Sequence, residues 1–95
     1  MYLLGKQHVD EFKKNHASAR GSLDKWVQLV ESAIIAKPED FKIVFGKRFD
    51  KVGDKYVFDV GGNKVRVVCI ANFGVLVLQI THVLTHKEYD KGKWK

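Results

Sequence analysis

The sequence has little cysteine and proline, and it lacks a long uninterrupted hydrophobic segment. Its single cysteine, Cys69, cannot form an internal disulfide and has no second thiol with which to hold a structural zinc ion. The longest apolar stretch, residues 65–80, contains charged and polar residues, whereas a membrane-spanning helix needs about 20 mostly apolar residues. Residues 1–5 lack the positive charge and long apolar segment of a secretory signal. We therefore expect a cytoplasmic protein with no membrane partner, structural metal or disulfide.

The length of 95 residues fits one compact domain, which we expect to span residues 1–95. Hydrophobic residues make up 45% of the chain and charged residues 29%, which is typical of a folded domain and not of a disordered chain. Seventeen Lys and Arg residues exceed eleven Asp and Glu residues, giving a net charge of +6 that is spread over both halves. Such an excess favours polyanionic partners such as nucleic acid, an anionic membrane or an acidic protein, although it can also serve solubility alone.

Hydrophobic periodicity predicts helices in the first half of the chain. Apolar residues recur at helical spacing over residues 6–16 and, more clearly, over residues 18–36. Pro38 is expected to end the second helix, because a proline disfavours helical geometry at the residue before it. Residues 41–45 predict one further helical turn or a packed connection.

The second half of the chain predicts an antiparallel meander of three strands. Alternating residues at 56–60 indicate the first strand, and residues 64–71 and 75–84 indicate the other two. The segment Gly61-Gly62-Asn63 supplies the tight reversal after the first strand. Residues 1–4 are expected to form a short edge strand. The predicted fold class is therefore α+β, with a short N-terminal strand and two helices packed on one face of an antiparallel sheet.

Arg66 interrupts the apolar second strand of this meander, two residues after Lys64 on the same face. Burying an arginine in a central strand is costly unless the guanidinium is paired or lines a cleft. One interpretation is an ion pair with Asp59 across the hairpin, and the other is a cleft that binds an anion. Lys51 and Lys55, which precede the first strand of the meander, could add to the same surface.

The segment 85–91 is dense in groups that transfer protons or bind phosphate. These groups are His86, Lys87, Tyr89 and Lys91. Metal-free RNA cleavage needs a base for the 2′-OH, cations for the charged transition state, and an acid or cation for the 5′-oxygen. Together with Arg66 the segment contains those groups. The alternative is a polar C-terminal turn in which Tyr89 only packs on the core, and the last five residues either cover this region or fray.

His82 and His86 are four residues apart, which raises the question of a metal site. On one strand they would lie about 13 Å apart, too far to share an ion unless the strand ends between them, and the sequence shows no third ligand nearby. We therefore expect no metal and no cofactor. His82 is expected to share a face with Leu78 and Ile80 at the end of the sheet, and Cys69 is expected to be buried and unreactive.

Separate segments along the chain together resemble a known family. They are Trp26–Ala33, residues 37–42 with Phe45, Tyr56–Val60, residues 61–68 and residues 85–90. In this order they resemble the HigB family of bacterial type II toxins, within the RelE/ParE superfamily. The resemblance implies a RelE-like fold and a ribosome-dependent mRNA interferase without a cofactor. It also implies a HigA-like helix-turn-helix antitoxin, through which alone the complex would contact operator DNA.

The resemblance also implies roles for individual residues. The Gly-Asn-x-x-Arg strand makes Arg66 the cation that stabilises phosphate, and the Thr-His-x-Glu-Tyr-Asp segment makes His86 and Tyr89 the proton-transfer or base-stacking groups. RNA is expected to bind lysines at five positions, Lys51, Lys55, Lys64, Lys87 and Lys91. Two other functions remain open. A ParE-like gyrase inhibitor would not need His86 and Tyr89 near Arg66, and an RNA- or ribosome-binding module would have lost catalysis.

Overall fold

The computed structural model describes residues 1–62 and 64–95. The helices and strands follow in the order β1 (Tyr2–Leu4), α1 (Lys6–Asn15), α2 (Arg20–Ser32), α3 (Glu39–Phe45), β2 (Phe49–Val52), β3 (Lys55–Val60), β4 (Val65–Asn72), β5 (Val77–Thr85) and α4 (His86–Asp90). A short 3₁₀ turn, Ala17–Ala19, precedes α2. Within these two ranges, none of the helices has the length and apolar content needed to cross a membrane.

The strands form one sheet in the order β1-β5-β4-β3-β2. Neighbouring strands are antiparallel except β1, which lies parallel to β5. The predicted edge strand and three-strand meander are therefore confirmed. Gly61 and Gly62 adopt positive φ angles of 67° and 61° in the reversal between β3 and β4, while Asn63 lies outside the described residues.

Strand β2 was not predicted from the sequence. Its residues Phe49-Asp50-Lys51-Val52 have apolar side chains only at the two ends, so they do not alternate as a half-buried strand does. The strand lies at the edge of the sheet, where charged residues are common because they discourage pairing with other chains.

Helices α1 to α3 pack on one face of the sheet and enclose the main core. Helix α2 contributes Leu23, Trp26 and Val30, which face the buried side chains of Phe58 and Val67 on the strands. The predicted second helix is shorter than expected and ends at Ser32, because the backbone of Ala33 is extended. The predicted further turn after Pro38 is α3, seven residues long.

The opposite face of the sheet carries a second, smaller apolar cluster. Val57 and Val68 are buried there beneath Trp94, and Val52, Leu84 and Tyr89 pack around them. Gly92 has a φ of 71°, a conformation that glycine adopts without strain, and it turns the chain after α4 back towards the sheet. The last residues therefore cover this face.

A β-bulge changes the face on which the end of β5 presents its side chains. Cys69 pairs with Ile80 whereas Val68 pairs with His82, so Thr81 is the extra residue on β5. His82 consequently lies on the face of Val68 and not on that of Ile80. The prediction of its face was wrong because the alternation of side chains does not continue through a bulge. The buried position predicted for Cys69 is confirmed.

Candidate functional site

Arg66 lies on the central strand β4 and is only 7% exposed. Its partner in the sheet is Asp59 on β3, and Arg66 Nε is 2.9 Å from Asp59 Oδ1. The ion pair considered in the sequence analysis therefore forms. The neighbouring pair of Phe58 and Val67 belongs to the main core, so Arg66 and Asp59 face the opposite side, towards α4. A carboxylate at Nε restricts the orientation of the planar guanidinium.

Tyr89 on α4 contacts Arg66. The guanidinium carbon of Arg66 is 5.5 Å from the centroid of the Tyr89 ring, within the range of a cation–π interaction. The Trp94 ring stacks on the same tyrosine, with centroids 4.8 Å apart and planes 13° apart. Arg66 and Tyr89 are therefore in direct contact, and both are residues for which the resemblance implies a catalytic role.

The surroundings of Tyr89 keep its phenol protonated at neutral pH. Burial raises the pKa of Tyr89 above its ordinary value of 10.0, and the carboxylates of Asp50, Asp59 and Asp90 raise it further. The charge of Arg66 acts in the opposite direction but does not outweigh these effects. Tyr89 therefore carries its proton at neutral pH, as a general acid must, and is unsuited to accept one.

Helix α4 begins where it does because of a capping box. The Thr85 hydroxyl accepts a hydrogen bond from the Glu88 backbone N–H at 3.1 Å, and Glu88 Oε1 accepts one from the Thr85 N–H at 2.9 Å. The hydrogen bond from the Thr85 backbone holds the pKa of Glu88 below its ordinary value. The Thr-x-x-Glu spacing of Thr85 and Glu88 is the sequence signal for this role.

His86 is the first residue of α4 and is 49% exposed. Its backbone N–H donates to the Lys64 carbonyl oxygen at 3.2 Å, which ties the helix to the start of β4. Its Nδ1 lies 3.4 Å from Oδ2 of Asp90, one helical turn further on. A proton on Nδ1 facing this carboxylate leaves Nε2 able to accept a proton.

The described residues, 1–62 and 64–95, offer no evident site for a metal. Strand β5 ends at Thr85, so His82 and His86 belong to different elements. In the part of the chain that the structure describes, no group of three or more His, Cys, Asp and Glu side chains is arranged to hold a metal ion.

The five lysines predicted to bind RNA do not lie on one surface. Lys51 pairs with Tyr56, on the face of α1 to α3, and its Nζ is 5.9 Å from the centroid of the Tyr56 ring. Lys55 lies at the start of β3, remote from Asp59 along the strand, with its Nζ 3.9 Å from an Asp54 carboxylate oxygen. The remaining three are exposed on or next to the segments that carry the site, namely Lys64, Lys87 and Lys91.

The sequence alone does not identify Trp94 as a site residue. It is a single aromatic residue in a lysine-rich segment, so no hydrophobic periodicity marks it as buried. The only local signal was Gly92, which permits the turn that returns Trp94 to the sheet.

Comparison with known proteins assigns the chain to a family. The family model of HigB toxin, a RelE-like toxic component of a toxin–antitoxin system, matches residues 19–92. The mRNA interferase toxin HigB of Escherichia coli (strain K12) is 32% identical over 92 residues, which cover 95% of this chain and 88% of that protein. The mRNA interferase HigB of Shigella flexneri matches with the same values, and that of Escherichia coli O6:H1 is 27% identical over 93 residues, covering 96% and 90%. The chain therefore belongs to the HigB family of toxins, the RelE-like toxic components of toxin–antitoxin systems.

Proposed function

We propose that this toxin is an mRNA interferase, an endoribonuclease that arrests translation and growth by cutting translated mRNA on the ribosome. Its relatives are named mRNA interferases, which supports the activity. The observation that carries the proposal is the contact of the Arg66 guanidinium with the Tyr89 ring at 5.5 Å. It combines a desolvated cation with a protonated phenol, and both groups assist the displacement of a phosphate ester.

His86 accepts the proton of the RNA 2′-OH at Nε2, and the resulting oxygen attacks the adjacent phosphorus. The bond from phosphorus to the 5′-oxygen breaks, and the Tyr89 phenol donates its proton to that oxygen. The products are a 2′,3′-cyclic phosphate and a 5′-OH end, with no metal or cofactor required. Positioned acids and bases of this kind each contribute about 100- to 10,000-fold to the rate.

Arg66 stabilises the negative charge that builds up on the phosphate oxygens in the transition state. Its burial strengthens the effect, because water screens the charge less than it would at the surface. Asp59 acts as its positioning residue through the contact of 2.9 Å with Nε.

The exposed lysines next to the site bind the flanking RNA. Lys64, Lys87 and Lys91 lie around α4 and meet phosphates of the message or of ribosomal RNA, while Lys51 and Lys55 lie further from it. Because several phosphate contacts release counterions, ribosome binding weakens steeply as salt increases. The same positive field receives an acidic surface of a HigA-like helix-turn-helix antitoxin, through which alone the complex meets operator DNA. The toxin then acts in the cytoplasm.

The contact between Arg66 and Tyr89 also favours cleavage over the two other functions that the sequence left open. A gyrase inhibitor or a purely RNA-binding module needs no proton donor beside a buried guanidinium. In cells, gyrase inhibition would produce DNA damage with intact mRNA, which separates it from cleavage.

The test is a reporter mRNA incubated with the purified toxin, with and without translating ribosomes, followed by mapping of the 5′ ends. We expect cuts in the reading frame that require ribosomes and that fade with Arg66→Ala and Tyr89→Phe. The matched control is Ile43→Ala, since Ile43 is 82% exposed on α3, an element that packs on the other face of the sheet. Intact mRNA beside active ribosomes and folded toxin would contradict the proposal.

A further inference from the structure

Trp94 is buried although it is the second-to-last residue of the sequence. It is 5% exposed and packs on Val57 and Val68 of the sheet. Its ring is nearly parallel to that of Tyr89, and its indole N–H donates a hydrogen bond of 2.8 Å to the Tyr89 carbonyl oxygen. One side chain therefore holds both the ring and the backbone of Tyr89.

The turn that brings Trp94 back is itself hydrogen-bonded to the same helix. The Gly92 N–H donates to the Tyr89 carbonyl oxygen at 3.0 Å, and the Lys95 N–H donates to the Gly92 carbonyl oxygen at 3.3 Å. Helix α4 has only five residues, and a helix this short is unstable in water without tertiary contacts. The position of Tyr89 therefore depends on contacts such as those with Trp94.

We infer that Trp94 is a positioning residue for cleavage, which holds the Tyr89 ring beside Arg66 and leaves the phenol hydroxyl as the group that meets RNA. The inference rests on the proposed function. It also decides between the two uses of Tyr89 that the resemblance left open. The indole already occupies one face of the ring and the guanidinium contacts the ring as well. Tyr89 thus acts through its hydroxyl and not as a base-stacking surface.

The kinetic test compares Trp94→Ala, Trp94→Phe and the control Trp26→Phe in the full chain. Without the indole, Tyr89 samples other orientations, and displacing a catalytic group by about 1 Å costs about 100-fold in rate. We expect Trp94→Ala to lower kcat by about 10- to 100-fold with KM changed less than about threefold. Trp94→Phe keeps an aromatic ring on Tyr89 and should retain most of kcat. Trp26 packs against Phe58 in the main core, so its replacement reports the effect of lost stability alone.

A spectroscopic test reports on Tyr89 directly and does not require activity. The chain has three tyrosines, so the phenolate absorbance of each protein minus that of its Tyr89→Phe counterpart isolates this residue. The groups that face the phenol are Asp50 on β2, Asp59 on β3, Arg66 on β4 and Asp90 on α4, and none is changed by Trp94→Ala. Because burial is the largest cause of the raised pKa, exposing the ring should move the Tyr89 pKa down towards its ordinary value.

The outcomes separate the two proposals. If the wild type cuts mRNA and Trp94→Ala cuts equally well with an unchanged Tyr89 titration, the inference is wrong and the proposed function stands. Equal losses of kcat in Trp94→Ala and Trp26→Phe would also overturn it, because the effect would then be one of stability. If the wild type does not cut, the proposed function fails, and the positioning role in cleavage fails with it. Should Trp94→Ala not fold, Trp94→Leu takes its place, because it keeps an apolar side chain on Val57 and Val68 but removes the ring stacked on Tyr89. A lowered kcat with a shifted Tyr89 titration then supports the inference, and a wild-type kcat with an unchanged titration contradicts it.

Discussion

Asp59→Asn removes one charge of the ion pair that holds Arg66 while keeping the shape of the side chain. Removing one partner of a fully buried ion pair costs about 3–5 kcal/mol, whereas an exposed pair contributes about 0–1 kcal/mol. Arg66 is buried but the Asp59 side chain is 31% exposed, so water reaches one side of the pair. We therefore expect the free energy of unfolding to fall by about 2 kcal/mol.

Urea unfolding followed by tryptophan fluorescence measures this loss. With an m-value of about 1–2 kcal/mol/M for a chain of this size, the midpoint should fall by about 1–2 M. A double-mutant cycle with Arg66→Met separates the pair from other effects, and its coupling energy should be about 1–2 kcal/mol. A coupling energy below about 0.3 kcal/mol would mean that the two charges are effectively solvated and that the ion pair does not stabilise the fold.

The neutral pair Asp59→Leu with Arg66→Met provides a matched comparison. Because neither charge then remains to be compensated, much of the lost stability should return. The same double variant should cut no mRNA, since it lacks the guanidinium. Recovery of stability without activity would separate the structural role of the pair from its role in cleavage.

Three further predictions concern other parts of the molecule. Gly5 has a φ of 82°, and a Cβ at this position would collide with the Ile80 carbonyl oxygen. Gly5→Ala should therefore lower the free energy of unfolding in urea by about 2 kcal/mol or more. An unchanged midpoint would contradict this packing. The lowered pKa of Glu88 means that its stabilising contribution is present at neutral pH and is lost as the pH falls through that pKa, below the ordinary value of 4.5. The Glu88→Gln variant keeps a side-chain acceptor for the Thr85 N–H but has no carboxyl group to titrate at this position. The melting temperature of the variant should therefore fall less than that of the wild type between about pH 5 and pH 3. Equal falls would show that protonation of Glu88 does not affect stability. Burial raises the pKa of the Cys69 thiol well above 9.0, so alkylation should be at least about 1,000-fold slower in the native protein than in denaturant; rapid native labelling would show that the thiol is accessible.

Much of the fold could be predicted because local periodicity matches the final structure. The apolar spacing predicted α1, α2 and strands β3 to β5, because each of these segments buries one of its faces. The order of apolar and polar residues within a segment shows which face that is. Strand β2 could not be recognised this way, since its central residues are charged. The bulge at Thr81 is also absent from local periodicity, because it arises from how β5 pairs with β4.

The site was predicted in part for a similar reason. Arg66 could be recognised because it is a charged residue in an otherwise apolar strand. The segment with His86 and Tyr89 could be recognised because it contains several functional groups close together in sequence. Their contact depends on the capping box that starts α4 at Thr85, which a Thr-x-x-Glu spacing does encode. The placement of Lys51 on the other face and the burial of Trp94 depend on β2 and on the turn at Gly92, and both are tertiary features.

If Arg66 acts in the cutting step itself, as we propose, its removal should affect cutting far more than binding. Single-turnover cleavage of mRNA on programmed ribosomes would be measured beside ribosome affinity, for the wild type and Arg66→Ala. Losing one preorganised donor to the transition state costs about 2–4 kcal/mol, so cleavage should slow by about 30- to 1,000-fold. Ribosome affinity should change by less than about threefold, which is about 0.7 kcal/mol. Cleavage and affinity that fall by the same factor would show that Arg66 only helps the toxin to bind and has no role in the cutting step.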